Sequence, residues 1–152
     1  MRKMTLDSTL TASAQIEEGD LDELKTLGVS LLVCNRPDGE ADDQPAFEAL
    51  ASQAHARGIE MLSLPFAAGK QTPQQVDEFA QLLVNAESEN RKVHAYCRTG
   101  NRSTCLWSAA KVSGGADPES ILATAKEAGF DVSEAINPYR GEDMNSAENS
   151  AQ

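Results

Sequence analysis

At 152 residues with 40% apolar content, the chain is long enough to bury one sizeable core and too short to make a second domain the expectation. Its formal charge of −11 argues against nucleic acid and anionic membrane as main partners, because both need a basic face. Three irregularly spaced cysteines give neither a disulfide framework nor a metal signature, and two histidines cannot build a zinc site alone. No cofactor is therefore expected, and a reducing, cytoplasmic setting fits best.

Met1-Arg2-Lys3-Met4 is briefly basic, but Thr5-Leu6-Asp7-Ser8 never becomes the apolar run of a signal peptide, and no stretch approaches a membrane span. A short extended piece is expected around Thr9 to Ser13. Leu21, Leu24 and Leu27 predict a helix from Glu17 to Leu27 that stops at Gly28. Val29 to Cys34 is a continuous apolar run, the pattern of a strand inside a parallel sheet. Asn35 to Gln44 is turn-rich, and Pro45 to Arg57 reads as a helix with Phe47, Leu50, Ala51 and Ala54 on one face. Ile59 to Leu64 gives a second strand. Thr72 as N-cap with Pro73 after it opens a helix carrying Val76, Phe79, Leu82 and Leu83.

Val93 to Tyr96 predicts a strand and Ser103 to Val112 a helix, ended by Gly114-Gly115. Asp117 and Pro118 start another helix that buries Ile121, Leu122 and Ala125, and a short helical turn is expected after Ser133. From Gly141 apolar periodicity is lost, so residues 1–140 are expected to form one domain and 141–152 a mobile acidic tail. Strands alternating with helices imply an α/β fold with a mainly parallel central sheet flanked by helices. The carboxyl edge of such a sheet is where function belongs, and Cys97, Asn35-Arg36 and Pro65-Phe66 should all emerge there.

Between the Val93 strand and the Ser103 helix lies Cys97-Arg98-Thr99-Gly100-Asn101-Arg102. A loop of this kind turns its backbone N–H groups inward above the positive end of a helix, which binds anions and favours the nucleophilic thiolate of a cysteine. Two arginines, a glycine and small polar residues so close together are hard to explain as core packing. Cys97 is the expected nucleophile, with Arg102 and the amides of 98–103 as its cradle; Arg98, Thr99, Gly100 and Asn101 are the expected anion-binding residues. Ser103 can cap the helix or donate to the sulfur, easing departure of the thiolate in a second step.

The loop resembles two families. Rhodanese-type sulfurtransferases carry four residues between Cys and Arg, as here, and Arg98, Gly100, Arg102 and Ser103 match their wording; cysteine phosphatases carry five. The rest of the chain, from Ser30 through Asn35-Arg36-Pro37-Asp38-Gly39-Glu40 to Pro65 and Thr72-Pro73, is similar to a compact dual-specificity phosphatase. It is closer still to the bacterial beta-lactamase-hydrolase-like, phosphatase-like domain family, over about residues 8 to 138. The resemblance implies a cysteine phosphatase-like fold of the dual-specificity type. It also implies hydrolysis of a phosphate monoester or similar small anion through Cys97. Dual-specificity phosphatases place an aspartic acid on the loop after the preceding strand to protonate the leaving oxygen. Here Pro65 to Gln71 holds no carboxylate.

Asp38 and Glu40, with Asp42 and Asp43 near them, are the candidate replacement acids; an acidic surface turn is the other reading. Cys34, at the carboxyl end of a strand expected beside that of Cys97, is a candidate redox partner or simply a buried strand residue. His94 is expected to be a packed strand histidine, His55 a surface residue, Trp107 and Cys105 core, and Lys70 a solvated or anion-recruiting cation. Three activities stay open: phosphate-monoester hydrolysis, sulfur transfer through a Cys97 persulfide, and a non-catalytic module that holds an anion.

Overall fold

The computed structural model describes residues 1–140; the expected tail at 141–152 lies outside the described residues. A five-stranded sheet runs β1 (Lys3–Thr5), β2 (Leu10–Ser13), β5 (Lys92–Tyr96), β3 (Val29–Cys34), β4 (Glu60–Ser63) across its width. Only β1 is antiparallel, pairing with β2; all other pairs are parallel. The helices are α1 (Glu18–Thr26), α2 (Phe47–Ala56), α3 (Pro73–Ser88), α4 (Asn101–Ser113) and α5 (Pro118–Glu127), followed by a helical stretch over 133–140. Among the described residues no helix is long and apolar enough to cross a membrane.

Strand alternation divides the apolar residues between two cores. Leu31 and Val33 of β3 and Val93 and Ala95 of β5 face α3, α4 and α5, where Val76, Phe79, Leu106, Trp107 and Ile121 are buried. Leu32 and Cys34 of β3 and Tyr96 of β5 face α1 and α2, against Leu21, Leu24, Leu50 and Ala54. The expected mainly parallel sheet with helices on both faces is observed. The antiparallel β1 was not foreseen, because Lys-Met-Thr at an edge has no apolar run to announce it.

Helix starts follow local chemistry. Thr72 and Gln75 form the reciprocal capping box of α3, Oγ1 accepting from the Gln75 N–H at 3.1 Å and Gln75 Oε1 from the Thr72 N–H at 3.0 Å. Gln75 Nε2 also donates to the Pro65 carbonyl at 2.9 Å, pinning the loop after β4. α2 begins at Phe47 rather than Pro45, with Asp38 Oδ1 accepting from the Phe47 N–H at 2.9 Å. α4 begins two residues earlier than the small polar run suggests, which places Arg102 in its first turn.

His94 is buried on β5, with Nδ1 2.7 Å from Thr11 Oγ1 and Nε2 2.8 Å from Ser13 Oγ. Ser13 Oγ donates its proton to the Ala14 carbonyl at 2.8 Å. A neutral ring protonated on Nε2 therefore satisfies every partner, with Thr11 donating to Nδ1. Burial, helped by Lys3 and opposed by Asp20, pushes the His94 pKa down from 6.5 to about 4. The unfolded chain binds a proton here below pH 6.5 and the folded chain does not until about pH 4. The stability held by neutral His94 is thus fully present above pH 6.5 and is lost as pH falls through that window. Urea unfolding should show a loss of about 3 kcal/mol between those limits. His94→Asn should flatten the slope; an equal slope in both proteins would contradict this account.

Candidate active site

Cys97 follows β5 directly and is fully buried at the carboxyl edge of the sheet. The chain turns back at Gly100, whose φ of +98° is open to glycine and strained for other residues. That turn aims the Gly100 N–H at Cys97 Sγ, 3.1 Å away. There is little room for a side chain: a Cβ at Gly100 would stand 2.6 Å from Met4 Cε and 3.4 Å from the Ser13 carbonyl carbon. Thr104 closes the turn by donating from N and Oγ1 to the Gly100 carbonyl at 3.0 and 2.8 Å, and Thr99 Oγ1 accepts from the Asn101 N–H at 3.2 Å. The amides of Arg102 and Ser103 lie in the first helical turn, where N–H groups have no intrahelical acceptor.

Arg102 reaches across this loop to Glu40. NH1 donates to Oε2 at 2.7 Å and NH2 to Oε1 at 2.8 Å, a parallel two-bond pair. NH1 donates its other hydrogen to the Phe66 carbonyl at 3.1 Å. Among the described residues, Nε–H and the second NH2 hydrogen of Arg102 find no oxygen or nitrogen acceptor, and the side chain interacts with the Cys97 thiol, so one edge of the fork is held by Glu40 and the other is left for an oxyanion. Arg36 is also buried and donates from Nε to Glu40 Oε1 at 2.9 Å and from NH1 to Gln15 Oε1 at 2.9 Å. Arg102 above all, then Arg36, overcomes burial and holds the Glu40 carboxyl down at about 2; the same contact with Glu40 raises the Arg102 pKa. Gln44 fixes the Glu40 loop, accepting from the Glu40 N–H at 3.0 Å and donating to the Pro37 carbonyl at 2.9 Å.

Ser103 makes neither of the bonds considered for it. Its fully buried hydroxyl donates to Asn35 Oδ1 at 2.8 Å, while Asn35 Nδ2 donates to the Leu64 carbonyl at 2.9 Å and the Asn35 N–H to the Tyr96 carbonyl at 2.9 Å. Ser103 and Asn35 thus lock α4 to the ends of β3, β4 and β5, and the proton that would assist the sulfur is already committed. Of the four candidate acids, Asp38 is spent on the start of α2, and Asp42 and Asp43 are exposed. Glu40 is brought to the site as an ionised partner of two arginines. Arg98, Thr99 and Lys70 are exposed, and Asn101 is half-buried.

Cys34 pairs in register with Tyr96, one residue before Cys97, so the expected adjacency of the two strands is observed. Its side chain lies on the α1 and α2 face, donates to the Arg36 carbonyl at 3.3 Å, and burial pushes its pKa up. Alternation carries Cys97 toward the opposite face, so a disulfide would require the two sulfurs to come round the end of the sheet. Trp107 is core, donating from Nε1 to Asp7 Oδ2 at 3.1 Å. Cys105 is half-buried beside the loop and His55 is exposed. Among the described residues no group of three or more His, Cys, Asp or Glu is placed to hold a metal ion. Gln15, Asn35 and Arg36 are the site residues to which sequence reasoning gives no role. Arg36 had a signal in its four-residue spacing from Glu40; Gln15 had none.

Comparison with known proteins gives a consistent picture. Residues 1–114 match the family described as beta-lactamase hydrolase-like protein, phosphatase-like domain. A beta-lactamase hydrolase-like protein of Agrobacterium fabrum is 28% identical over 107 residues, which is 70% of this chain and 24% of that protein. The chain therefore spans about a quarter of that relative's length. Among solved structures, a candidate phosphatase from Neisseria meningitidis Z2491 is 29% identical, with a TM-score of 0.77 over 91% of this chain and 96% of that one. PTPMT1, solved in complex with PI(5)P, shares the fold at 17% identity and a TM-score of 0.75, covering 95% of this chain and 98% of its own.

Proposed function

Because the chain belongs to the family of beta-lactamase hydrolase-like proteins, phosphatase-like domain, we propose that it is a cysteine-dependent hydrolase of small phosphate monoesters, with Cys97 as nucleophile. The observation that carries this reading is the Arg102 guanidinium, held by Glu40 through NH1 and NH2 and interacting with the Cys97 thiol through the same side chain. An oxyanion received there has two hydrogens from the planar guanidinium, the first-turn amides of α4 and the N-terminal end of the helix dipole. The sulfur attacks phosphorus, the ester oxygen leaves with its electron pair, and water then cleaves the P–S bond to release phosphate and restore Cys97. Glu40 is the positioning residue for Arg102. Ser103 and Asn35 hold the helix that carries it. The PI(5)P bound by a neighbour of the same fold supports a phosphorylated ligand.

Neither candidate acid among the described residues is placed to protonate the leaving oxygen, since Arg102 and Arg36 hold Glu40 ionised and Asp38 Oδ1 accepts the Phe47 N–H at the start of α2. Substrates whose leaving group is stable as an anion are therefore favoured. Turnover of a series of aryl and alkyl phosphates should rise steeply as the leaving-group pKa falls, with aryl esters cleaved and simple alkyl esters nearly inert. A flat dependence would mean that an acid acts after all.

The same missing acid, with the four-residue gap between Cys97 and Arg102, favours a second reading, sulfur transfer. Cys97 would attack the outer sulfur of thiosulfate, sulfite would leave without needing a proton, and the persulfide sulfur would pass to a thiol acceptor. Sulfite release with thiosulfate and no hydrolysis of aryl phosphates would select this reading.

A further inference from the structure

Arg36 and Arg102 share a single carboxylate. The salt bridges of both run to Glu40 and, among the described residues, to no other acid. Both arginines are buried, Arg36 to 5% exposure and Arg102 to 8%, and Glu40 stays ionised between them because both guanidiniums hold its carboxyl down. The cluster therefore carries one uncompensated positive charge. Being buried, that charge is screened by salt much less than those of the exposed Arg98 and Lys70. Its remaining partner adds no charge: Arg36 NH1 donates to the amide oxygen of Gln15 at 2.9 Å, a neutral acceptor in a chain that has 24 Asp and Glu to offer. A buried arginine without a carboxylate of its own costs stability, so its gain lies in what the charge attracts.

Glu40 spends both oxygens on Arg102, so without Arg36 the two would meet an incoming anion as a neutral pair. Arg36 Nε, donating to Glu40 Oε1 at 2.9 Å, restores the positive sign. We propose that Arg36 sets the charge of the anion site and with it the specificity, so that dianions such as phosphate monoesters are preferred over monoanions such as phosphate diesters. Arg36 acts through Glu40, whose charge it shares with Arg102, and needs no contact with the substrate. The inference rests on the hydrolase reading for the place of the anion on Arg102. It adds the charge that the substrate must carry.

Calorimetric binding of sulfate and of methyl sulfate to the Cys97→Ser protein tests it, because the two anions share their chemistry and differ by one charge. Removing a nearby positive charge weakens each anion in proportion to the charge it carries, so Arg36→Met should cost sulfate about tenfold in affinity and methyl sulfate only about threefold. Arg36→Lys keeps the charge and should restore most of the preference for sulfate. Gln15→Glu keeps Arg36 and neutralises it from its other side; it should show the same unequal loss, and it carries the test if Arg36→Met does not fold. Equal losses for the two anions, no loss in either neutralised protein, an Arg36→Lys protein as weak as Arg36→Met, or no binding of sulfate by the parent would overturn the inference. The unequal loss, in a protein that hydrolyses no aryl phosphate with Cys97 intact, would instead leave the inference standing and remove the hydrolase reading.

Discussion

Arg102→Lys should lower turnover of an aryl phosphate roughly 100- to 1,000-fold although net charge is unchanged, the scale expected when one transition-state donor is lost from a preorganised site. Lysine offers a point charge on a flexible stem, whereas the arginine fork divides its work between two edges. NH1 and NH2 engage Glu40 and the Phe66 carbonyl, which leaves Nε–H and the remaining NH2 hydrogen for the oxyanion. An ammonium that satisfies Glu40 cannot also present two parallel donors to a phosphoryl group. Steady-state kinetics together with calorimetric binding of inorganic phosphate should show both kcat and affinity falling. Equal phosphate binding by the two proteins would contradict a geometric role for the guanidinium.

Glu40→Gln should lower kcat about 10- to 100-fold by releasing Arg102 from its pose, a misplacement cost of the size expected for reacting groups held slightly wrong. The amide keeps the length of the side chain but presents an N–H to guanidinium groups that are themselves donors. If Glu40 positions, aryl and alkyl esters slow by the same factor. If it were a general acid, poor leaving groups would suffer far more and the basic limb of the pH–rate profile would disappear. The variant should also respond differently to acid. Glu40 titrates at about 2 rather than its ordinary 4.5, so the stability it contributes is present above pH 4.5 and is lost as pH falls toward 2. Thermal melts of the variant should lose less over that range than those of the wild type.

Periodicity and turn chemistry carried most of the fold. The apolar run of β3, the Thr72-Pro73 and Asp117-Pro118 starts and the strand leading into Cys97 all stand as expected. These features depend on neighbours along the chain, which a sequence displays directly. What escaped depends on neighbours across space. Glu40 looked like a free acid or a surface turn because nothing in Asp-Gly-Glu reveals that Arg102, 62 residues later, closes on it. Ser103 reads as free to serve the sulfur because the side-chain oxygen of Asn35, 68 residues away, is not visible along the chain. Gln15 enters only through Arg36. The early start of α4 follows from Gly100 taking a left-handed conformation at its N-cap, at a place where Met4 and Ser13 leave little room for a side chain.

The most direct test of a Cys97 nucleophile is rapid-quench intact-mass analysis during turnover of an aryl phosphate, followed by peptide mapping. One phosphoryl group on the Cys97 peptide of the wild-type protein, absent from Cys97→Ser, is the predicted result. Turnover with no phosphoryl group on that peptide at any quench time, or a stable gain of one sulfur atom there from thiosulfate with no phosphoryl adduct, would contradict it.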